Sequence, residues 1–469
     1  MVKSNFATLK ESEKIELLYL QGEKINLLEE ENKRLKARLD KYTKKNSRNS
    51  HKPSSTDKIN NKTQSLREKS GKKVGGQPGH KGYNLEFSKK PDEILYYTIT
   101  QCTCCGSELN NKPDDIDKKQ VFEIPKPKFL ITEHQAEIKS CPKCGTSNIA
   151  QIPNWIISKT QYGPEAKSLM VYLSQYQCLP YYRIRLLFKT IYNHIVSAGT
   201  VYNAVKENGE KLQNVDQKLK QLLSVSSVLH GDESGINVAN DKHWLHVASN
   251  EKLTHYSVHE SRGFEAMESI GIFQEYKGIM VHDHWRSYFR YEEVEHALCN
   301  AHHLRELKYI NEVQGLKWAK TMSNLLIEIY ETKKQSINCG QRKFYRKTKD
   351  KFIERYNDII RRGQQEQSVR GTLDSKNLLK RLNKHSKETL LFMENYEVPF
   401  TNNQGEQDIR MIKIHQKITG GFRTIKGAKT FCINRGIIST AIKNGKNILR
   451  VLRQAFLGKL TLPQLIAAS

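Results

Sequence analysis

The sequence lacks any long apolar segment. No run approaches the roughly 20 apolar residues that a membrane-spanning helix needs. The first residues, MVKSNFATLKESEKIELL, contain no apolar signal core ahead of their charges. These absences exclude the usual membrane-spanning and secreted classes and predict a cytoplasmic protein.

Acidic residues are scarce beside basic ones. The 469 residues include 50 Asp plus Glu and 77 Lys plus Arg, a formal net charge of +27. A surplus of this size indicates a polyanionic partner, and nucleic acid is the obvious class. The alternative is a ribosome-like or simply soluble basic protein. The length allows about three domains.

Large apolar residues are almost absent from residues 41–82, which hold twelve Lys or Arg against the acids Asp57 and Glu68. Such a segment cannot offset its folding entropy by burial. We therefore interpret residues 46–95 as a flexible basic arm for DNA phosphates. The alternative is a solubilising linker.

A seven-residue repeat precedes this arm and predicts a coiled coil within residues 1–45. Gln21 fits it poorly, and a lone amphipathic surface helix is the alternative. The two repeat positions are occupied by Leu18, Ile25, Asn32 and Leu39, and by Leu28, Leu35 and Tyr42.

Four of the nine cysteines form two Cys-x-x-Cys pairs, each followed by Gly. In a reducing compartment this spacing predicts a structural Zn²⁺ site in a zinc-finger-like module at residues 96–150. Cys104 is an alternative ligand or a bystander, and a metal-free loop is the alternative reading. The four predicted ligands are Cys102, Cys105, Cys141 and Cys144.

Residues 155–220 have helical apolar spacing, and Ser197 and Thr200 are candidate caps of a helix after a turn. We interpret them as a helical DNA-binding region, although an ordinary helical hairpin has the same pattern. Beyond them, three strand-like runs, a helix and another strand predict a mixed α/β sheet. The remaining predicted divisions are a catalytic core at 222–304 and 399–445, a helical insertion at 305–398, and a C-terminal helical tail at 446–469.

Asp232 and Asp283 each follow an apolar run. Acids at the ends of adjacent strands can converge, and Mg²⁺ prefers such oxygen ligands. Plain solubility explains strand-end acids equally well. Glu406 also has alternatives, as part of a capping box with Asn403 or as an i, i+4 partner of Arg410.

Several motifs resemble the insertion-sequence-66 family of DDE transposases from about residue 46 to residue 440. They occur in the family's order: NSRNSHKPSS, GGQPGHKG, LHGDESGINV with WLHVAS, GIMVHDHWRSY, HALCNAHHLREL and TNNQGEQDIRMIKIHQKITGGFRT.

The resemblance implies a ribonuclease H-like core in which Asp232, Asp283 and Glu406 bind two Mg²⁺ ions, with Mn²⁺ as a substitute. It favours Asp232 over Glu233. His302 and His303 match a His-containing block, where we expect them to support the active site or contact DNA rather than bind metal. The residues expected to contact DNA phosphates are Arg410, Lys413, Lys417 and Arg423.

The implied function is cleavage of double-stranded DNA at insertion-sequence ends and strand transfer into target DNA. The implied partners are a second subunit, in a homodimer or higher oligomer, and accessory proteins encoded by the same element. The implied location is the nucleoid. A non-catalytic DNA-binding regulator and a ribonuclease H-like nuclease are the alternatives.

Overall fold

The long helix α1 runs from Glu11 to Thr43 in the computed structural model, which describes residues 11–43, 79, 81–82 and 85–466. The side chains of Leu39 and Tyr42, and most of the predicted basic arm, lie outside the described residues. The helix is confirmed, and its coiled-coil pairing stays a prediction. Four apolar residues of the repeat are more than half exposed: Leu18, Ile25, Leu28 and Leu35.

Residues 85–160 contain little regular structure. Strands β1 (Ile138–Ser140) and β2 (Ser147–Ile149) pair antiparallel on either side of the second cysteine pair. A single bridge between Gln101 and Glu108 flanks the first pair. Nearly all of these side chains are exposed, so the region has no apolar core of its own.

Three helices follow this region. Ser197 caps the third, because its Oγ accepts the N–H of Thr200 at 2.9 Å, which confirms the predicted cap. The buried side of that helix repeats every three or four residues, as burial of one helical face requires. The three are α2 (Pro164–Val171), which continues as one π-helical turn (Tyr172–Tyr176), α3 (Tyr181–Tyr192) and α4 (Ala198–Ser224).

A five-stranded mixed sheet forms the centre, in the order β5-β4-β3-β6-β7. β3, β4 and β5 are antiparallel, whereas β6 and β7 run parallel to β3. The predicted mixed α/β sheet is confirmed. Strand β7 was not predicted, because four residues with two apolar side chains give no clear alternation. The strands are β3 (Val228–Val238), β4 (Asp241–Ser249), β5 (Thr254–His259), β6 (Ile279–His282) and β7 (Glu295–Leu298), with helix α5 (Phe264–Ile270) between β5 and β6.

Five helices between β7 and the C-terminal region cover one face of this sheet. Their core includes Ile279 and Val281 of β6 together with Leu307, Met322 and Leu379 from the helices. The helices are α6 (Asn300–Gln314), α7 (Lys317–Asn338), α8 (Arg346–Arg370), α9 (Leu373–Lys384) and α10 (Ser386–Glu394).

The C-terminal helices pack on the other elements of the core, and α12 lies between β5 and α4. Within the described residues, no helix combines the length and apolarity needed to cross a bilayer. These helices are α11 (Asn403–Thr419), α12 (Ile425–Lys443), α13 (Ile448–Phe456) and α14 (Leu462–Ile466).

Helix α11 is fixed to β3 at both ends. Before its first turn, Asn402 hydrogen-bonds to β3. After its last turn, the N–H of Phe422 donates to Asn237 O (2.9 Å) and the N–H of Ala239 donates to Phe422 O (2.8 Å). Gly421 has a φ of +131°, and a Cβ there would lie 2.5 Å from Asn237 O. Only glycine fits this approach, which holds α11 along the strand.

Candidate active site

Asp232 and Glu233 are adjacent in β3, so their side chains point to opposite faces of the sheet. Glu233 accepts hydrogen bonds from Tyr288 Oη (2.8 Å) and Arg262 Nε (2.8 Å), and its side chain is 1 % exposed. On the opposite face, His230, which shares the orientation of Asp232, contacts Asn402, the residue before α11. Glu233 therefore has a structural role, and Asp232 faces α11.

Asp232 lies within β3 rather than at its end. The expectation of a strand-end acid is wrong for this residue, because β4 pairs with β3 from His230 to Val238 and carries the strand past it. The parallel partner β6 pairs only with Val228–His230. Asp232 therefore lies just beyond the point where the parallel pairing ends.

Three residues follow the last printed pairs of the parallel strands closely enough that the register can be continued to them. Continuing the β3–β6 register by two residues and the β6–β7 register by one places Asp232, Asp283 and Cys299 side by side. The N–H of Cys299 donates to His282 O at 3.0 Å, which continues the ladder. Since neighbouring strands lie about 4.8 Å apart, the row spans about 10 Å at one edge of the sheet.

The carboxylate of Asp283 is oriented by the turn that follows it. Its Oδ1 accepts the N–H of Trp285 at 2.8 Å. Immediately before it, His282 is fully buried and its Nε2 lies 3.0 Å from His296 Nδ1. Burial among other imidazoles lowers the pKa of His282 well below its usual value, so a neutral ring supports the end of β6.

The predicted capping box at the start of α11 is wrong. The helix begins at Asn403, so Asn402 is the residue before it, and no side chain caps the helix. The Asn402 side chain instead hydrogen-bonds β3. Its Oδ1 lies 2.8 Å from His230 Nδ1, and its Nδ2 donates to Gly231 O at 2.7 Å. Glu406 therefore has no capping function.

Glu406 is directed toward the start of α6. Its Oε1 lies 3.8 Å from Cys299 Sγ and 3.8 Å from His302 Nε2, and its Oε2 lies 3.7 Å from Arg305 Nη2. The ion pairs that α11 makes here are thus with α6 rather than with the predicted partner Arg410. His303, which follows His302 in α6, is buried, and its Nδ1 lies 3.2 Å from Asn300 Oδ1.

The three predicted acids influence one another electrostatically. Burial, followed by the charges of Glu233, Asp283 and Glu406, raises the pKa of Asp232 well above its usual value. The negative charges of Asp283 and Glu406 both disfavour the charged form of Asp232, and a bound cation would relieve this repulsion. The donor set, three carboxylates, suits a hard divalent ion such as Mg²⁺.

One ligand atom from each of Cys299, His302 and Glu406 lies within 4.8 Å of the other two. Within the described residues, no other group of three or more His, Cys, Asp or Glu side chains meets this distance criterion. The three predicted acids do not meet this criterion. Neither do the four paired cysteines taken together.

Each cysteine pair nevertheless has the geometry of a zinc knuckle. In the first, the N–H of Gly106 donates to Cys102 O, and Gly106 has a φ of +74°. The second repeats this at Cys141 and Gly145 (φ +72°). A hydrogen bond from the Ser107 side chain lowers the pKa of Cys105 to about 7. These turns favour thiolates, which Zn²⁺ binds.

The predicted phosphate contacts are all exposed, on the outer side of α11 and just beyond it: Arg410, Lys413, Lys417 and Arg423. The first three follow Glu406 at helical spacing, so a basic surface leads away from the acidic edge.

Three residues near Glu406 and Asp232 were not predicted from the sequence. Cys299 and Arg305 contact Glu406, and Tyr288 orders Glu233. The Cys-x-x-His spacing of Cys299 and His302 was the available signal. The contact between α6 and α11 joins residues more than 100 positions apart, which periodicity cannot reveal.

Comparison with known families adds three matches. The transposase IS66 family matches residues 159–430, more than half of the chain. The zinc-finger binding domain of transposase IS66 matches residues 100–145, which include both cysteine pairs. A family of unknown function matches residues 8–86. No curated protein matches the chain.

Proposed function

The chain belongs to the transposase IS66 family, and from this premise we propose that Asp232, Asp283 and Glu406 form the active site of a DDE-type DNA transposase. The family resemblance seen in the sequence is confirmed, together with a zinc-finger domain that supports structural zinc. One arrangement carries the catalytic proposal: Asp232 and Asp283 follow the parallel β3–β6 pairing two residues beyond its last pair, and Glu406, on a helix fixed along β3, acts electrostatically on Asp232.

We further propose that the core is ribonuclease H-like. Support comes from the sheet, in which three antiparallel strands lead into two parallel ones. The position of the last acid on a helix that follows five inserted helices agrees with the same fold. Ligands commonly bind at the carboxyl edge of parallel strands, where Asp283 lies.

Asp232, Asp283 and Glu406 would hold two Mg²⁺ ions, with Mn²⁺ as a substitute. When bound, such ions activate the attacking oxygen and stabilise the leaving oxygen of an in-line displacement. The protein itself positions the DNA and balances charge. Trp285 N–H orients Asp283, and the Asn402 contacts orient the first turn of α11, where Glu406 lies.

The proposed reaction is cleavage at the ends of the element, which frees a 3′-hydroxyl, followed by attack of that hydroxyl on target DNA. Lys413, Lys417 and Arg423 would bind phosphates beside the acids. The basic residues before residue 85 would add sequence-independent contacts, and the zinc-finger domain and the α3–α4 pair would contribute further DNA contacts.

We also propose that the protein acts as a homodimer or higher oligomer. The exposed apolar positions of α1 would pair two subunits as a coiled coil, so that each could hold one element end. Accessory proteins encoded by the same element would assist the reaction on the nucleoid.

A cleavage and strand-transfer assay on duplex DNA carrying an element end tests the proposal. With Mg²⁺, Asp232→Asn, Asp283→Asn and Glu406→Gln should each lower cleavage by about 10³-fold or more, since several kcal/mol of charge stabilisation are lost. Gel-shift binding of the end should remain. Glu233→Gln is the matched control, because a Gln amide can still bond Tyr288, and it should retain cleavage.

Three results would contradict the proposal. Wild-type cleavage by Asp232→Asn would remove this residue from the site. End binding without cleavage by the wild-type protein would favour a DNA-binding regulator. Cleavage without strand transfer would favour a ribonuclease H-like nuclease.

A further inference from the structure

The geometry points to a second zinc site, distinct from the zinc finger, formed by Cys299, His302 and Glu406. The three side chains come from two elements: Cys299 precedes α6, His302 lies in its first turn, and Glu406 lies in the first turn of α11. A thiol, an imidazole and a carboxylate form a ligand set that favours Zn²⁺ over Mg²⁺.

The spacing of the ligand atoms supports this site. Glu406 Oε1 lies 3.8 Å from both Cys299 Sγ and His302 Nε2, and all three atoms lie within 4.8 Å of one another. Zinc bond lengths with tetrahedral angles separate ligand atoms by about 3.4–3.6 Å. An N–H···O hydrogen bond would bring the imidazole to about 2.9 Å from the carboxylate. The imidazole-to-carboxylate spacing is thus closer to that of ligands around an ion, and the Cys299 thiol donates to Glu406 Oε1 when no ion is bound.

The groups around these ligands suit a bound metal. The N–H of Asn402 donates to Cys299 Sγ at 3.1 Å, and the N–H of His302 donates to the Cys299 carbonyl at 3.2 Å. Such an N–H···S bond stabilises a metal-bound thiolate. Arg305 lies beside Glu406 Oε2, which leaves Oε1 for the ion. Glu406 and His302 are 25 % and 17 % exposed in their side chains, so water can complete the coordination.

Binding at this site would convert the Cys299 thiol to a thiolate and release its proton to solvent. The Cys-x-x-His segment resembles the Cys-x-x-Cys knuckles of residues 102–105 and 141–144 in spacing, but it is placed at a helix start in the core. Because Glu406 also belongs to the proposed catalytic site, zinc here would hold its carboxylate toward α6 and would compete with the catalytic Mg²⁺ ions for it.

Metal content tests the inference in the full-length protein. After equilibration with Zn²⁺ and removal of free metal, the wild-type chain should retain about two zinc ions, one of them in the finger. His302→Gln and Cys299→Ser should each retain about one. His303→Gln, next to the proposed ligand, and the exposed Cys339→Ser are controls that should retain the wild-type content. Circular dichroism verifies that each variant is folded.

Cobalt supplies a second readout. With Zn²⁺ already in the finger, added Co²⁺ should produce a thiolate-to-cobalt charge-transfer band in the wild type that Cys299→Ser lacks.

About one zinc ion in the wild type, or an unchanged content in folded His302→Gln, would overturn the inference. Asp232→Asn should retain the wild-type zinc content, so failure of the proposed catalysis and failure of the zinc site are separable.

Discussion

Two adjacent asparagines at the start of α11 have different surroundings. Asn402 is 1 % exposed and bonds His230 and Gly231 of β3, whereas Asn403 is exposed. The sequence predicts Asn403 as the cap of the helix, because an Asn before a helix with a Glu three residues later is the usual capping pattern. The difference arises from a tertiary contact with a strand about 170 residues earlier.

Asn402→Ala should lower the free energy of unfolding by about 1–3 kcal/mol, since it leaves buried polar groups of β3 without partners. It should also slow cleavage, because Asn402 holds the turn that carries Glu406. Asn403→Ala, the matched control, should change the free energy of unfolding by less than about 0.5 kcal/mol. Urea unfolding measures both. Equal effects of the two substitutions would contradict the proposed attachment of α11.

At the scale of elements, substitution of two neighbouring leucines in α1 can distinguish a coiled coil from a lone helix. Leu28 occupies a repeat position of the predicted seam and Leu27 does not, although both are exposed in the single chain, at 51 % and 68 %. Leu28→Glu should shift the mass measured by light scattering from dimer to monomer, because a charge would be buried in the seam. Leu27→Glu should leave the mass unchanged. A monomeric wild type would refute the pairing.

The elements that sequence predicted best are those with strong periodicity. The capped helix α4 and the strands β3 to β6 have clear apolar patterns. The length of β3 was not predictable, because residues beyond Asp232 are held by pairing with β4 rather than by their own pattern. Strand β7 is four residues long, too short for alternation to be evident.

At the scale of the whole molecule, several buried histidines predict acid sensitivity. Burial lowers the pKa of both His246 and His415 to about 4, and it also lowers the pKa of His230. The ordinary histidine pKa is about 6.5. As the pH falls from about 6.5 to about 4, the unfolded chain takes up protons that the folded chain does not, so stability is lost over this range.

His415→Phe should weaken this pH dependence, because His415 already packs against the rings of Phe422 and Phe431. Between pH 6.5 and 4 the wild type should lose up to about 3 kcal/mol more than the variant. The exposed His134→Phe should behave as the wild type. Urea midpoints measured across this range provide the check, and parallel curves for wild type and His415→Phe would refute the assignment.

The candidate site was predictable in part. The order of Asp232, Asp283 and Glu406 along the chain, and the cysteine pairs, are visible in the sequence. The choice between Asp232 and Glu233 depended on family resemblance, and the structure supplies a physical reason: Glu233 is engaged by Arg262 and Tyr288 on the opposite face. The α6 contacts of Glu406 depend on the folded arrangement and could not be read from spacing.

A change of metal preference tests most directly whether Asp232 is a ligand of the catalytic ions. Asp232→Cys replaces a carboxylate, which suits Mg²⁺, by a thiolate, which Mn²⁺ accepts more readily. The variant should be inactive with Mg²⁺ and should regain DNA cleavage by at least about tenfold, or 1.4 kcal/mol, with Mn²⁺. Asp232→Asn should recover with neither ion. Wild-type cleavage by Asp232→Cys in Mg²⁺, or no recovery in Mn²⁺, would contradict the proposed site.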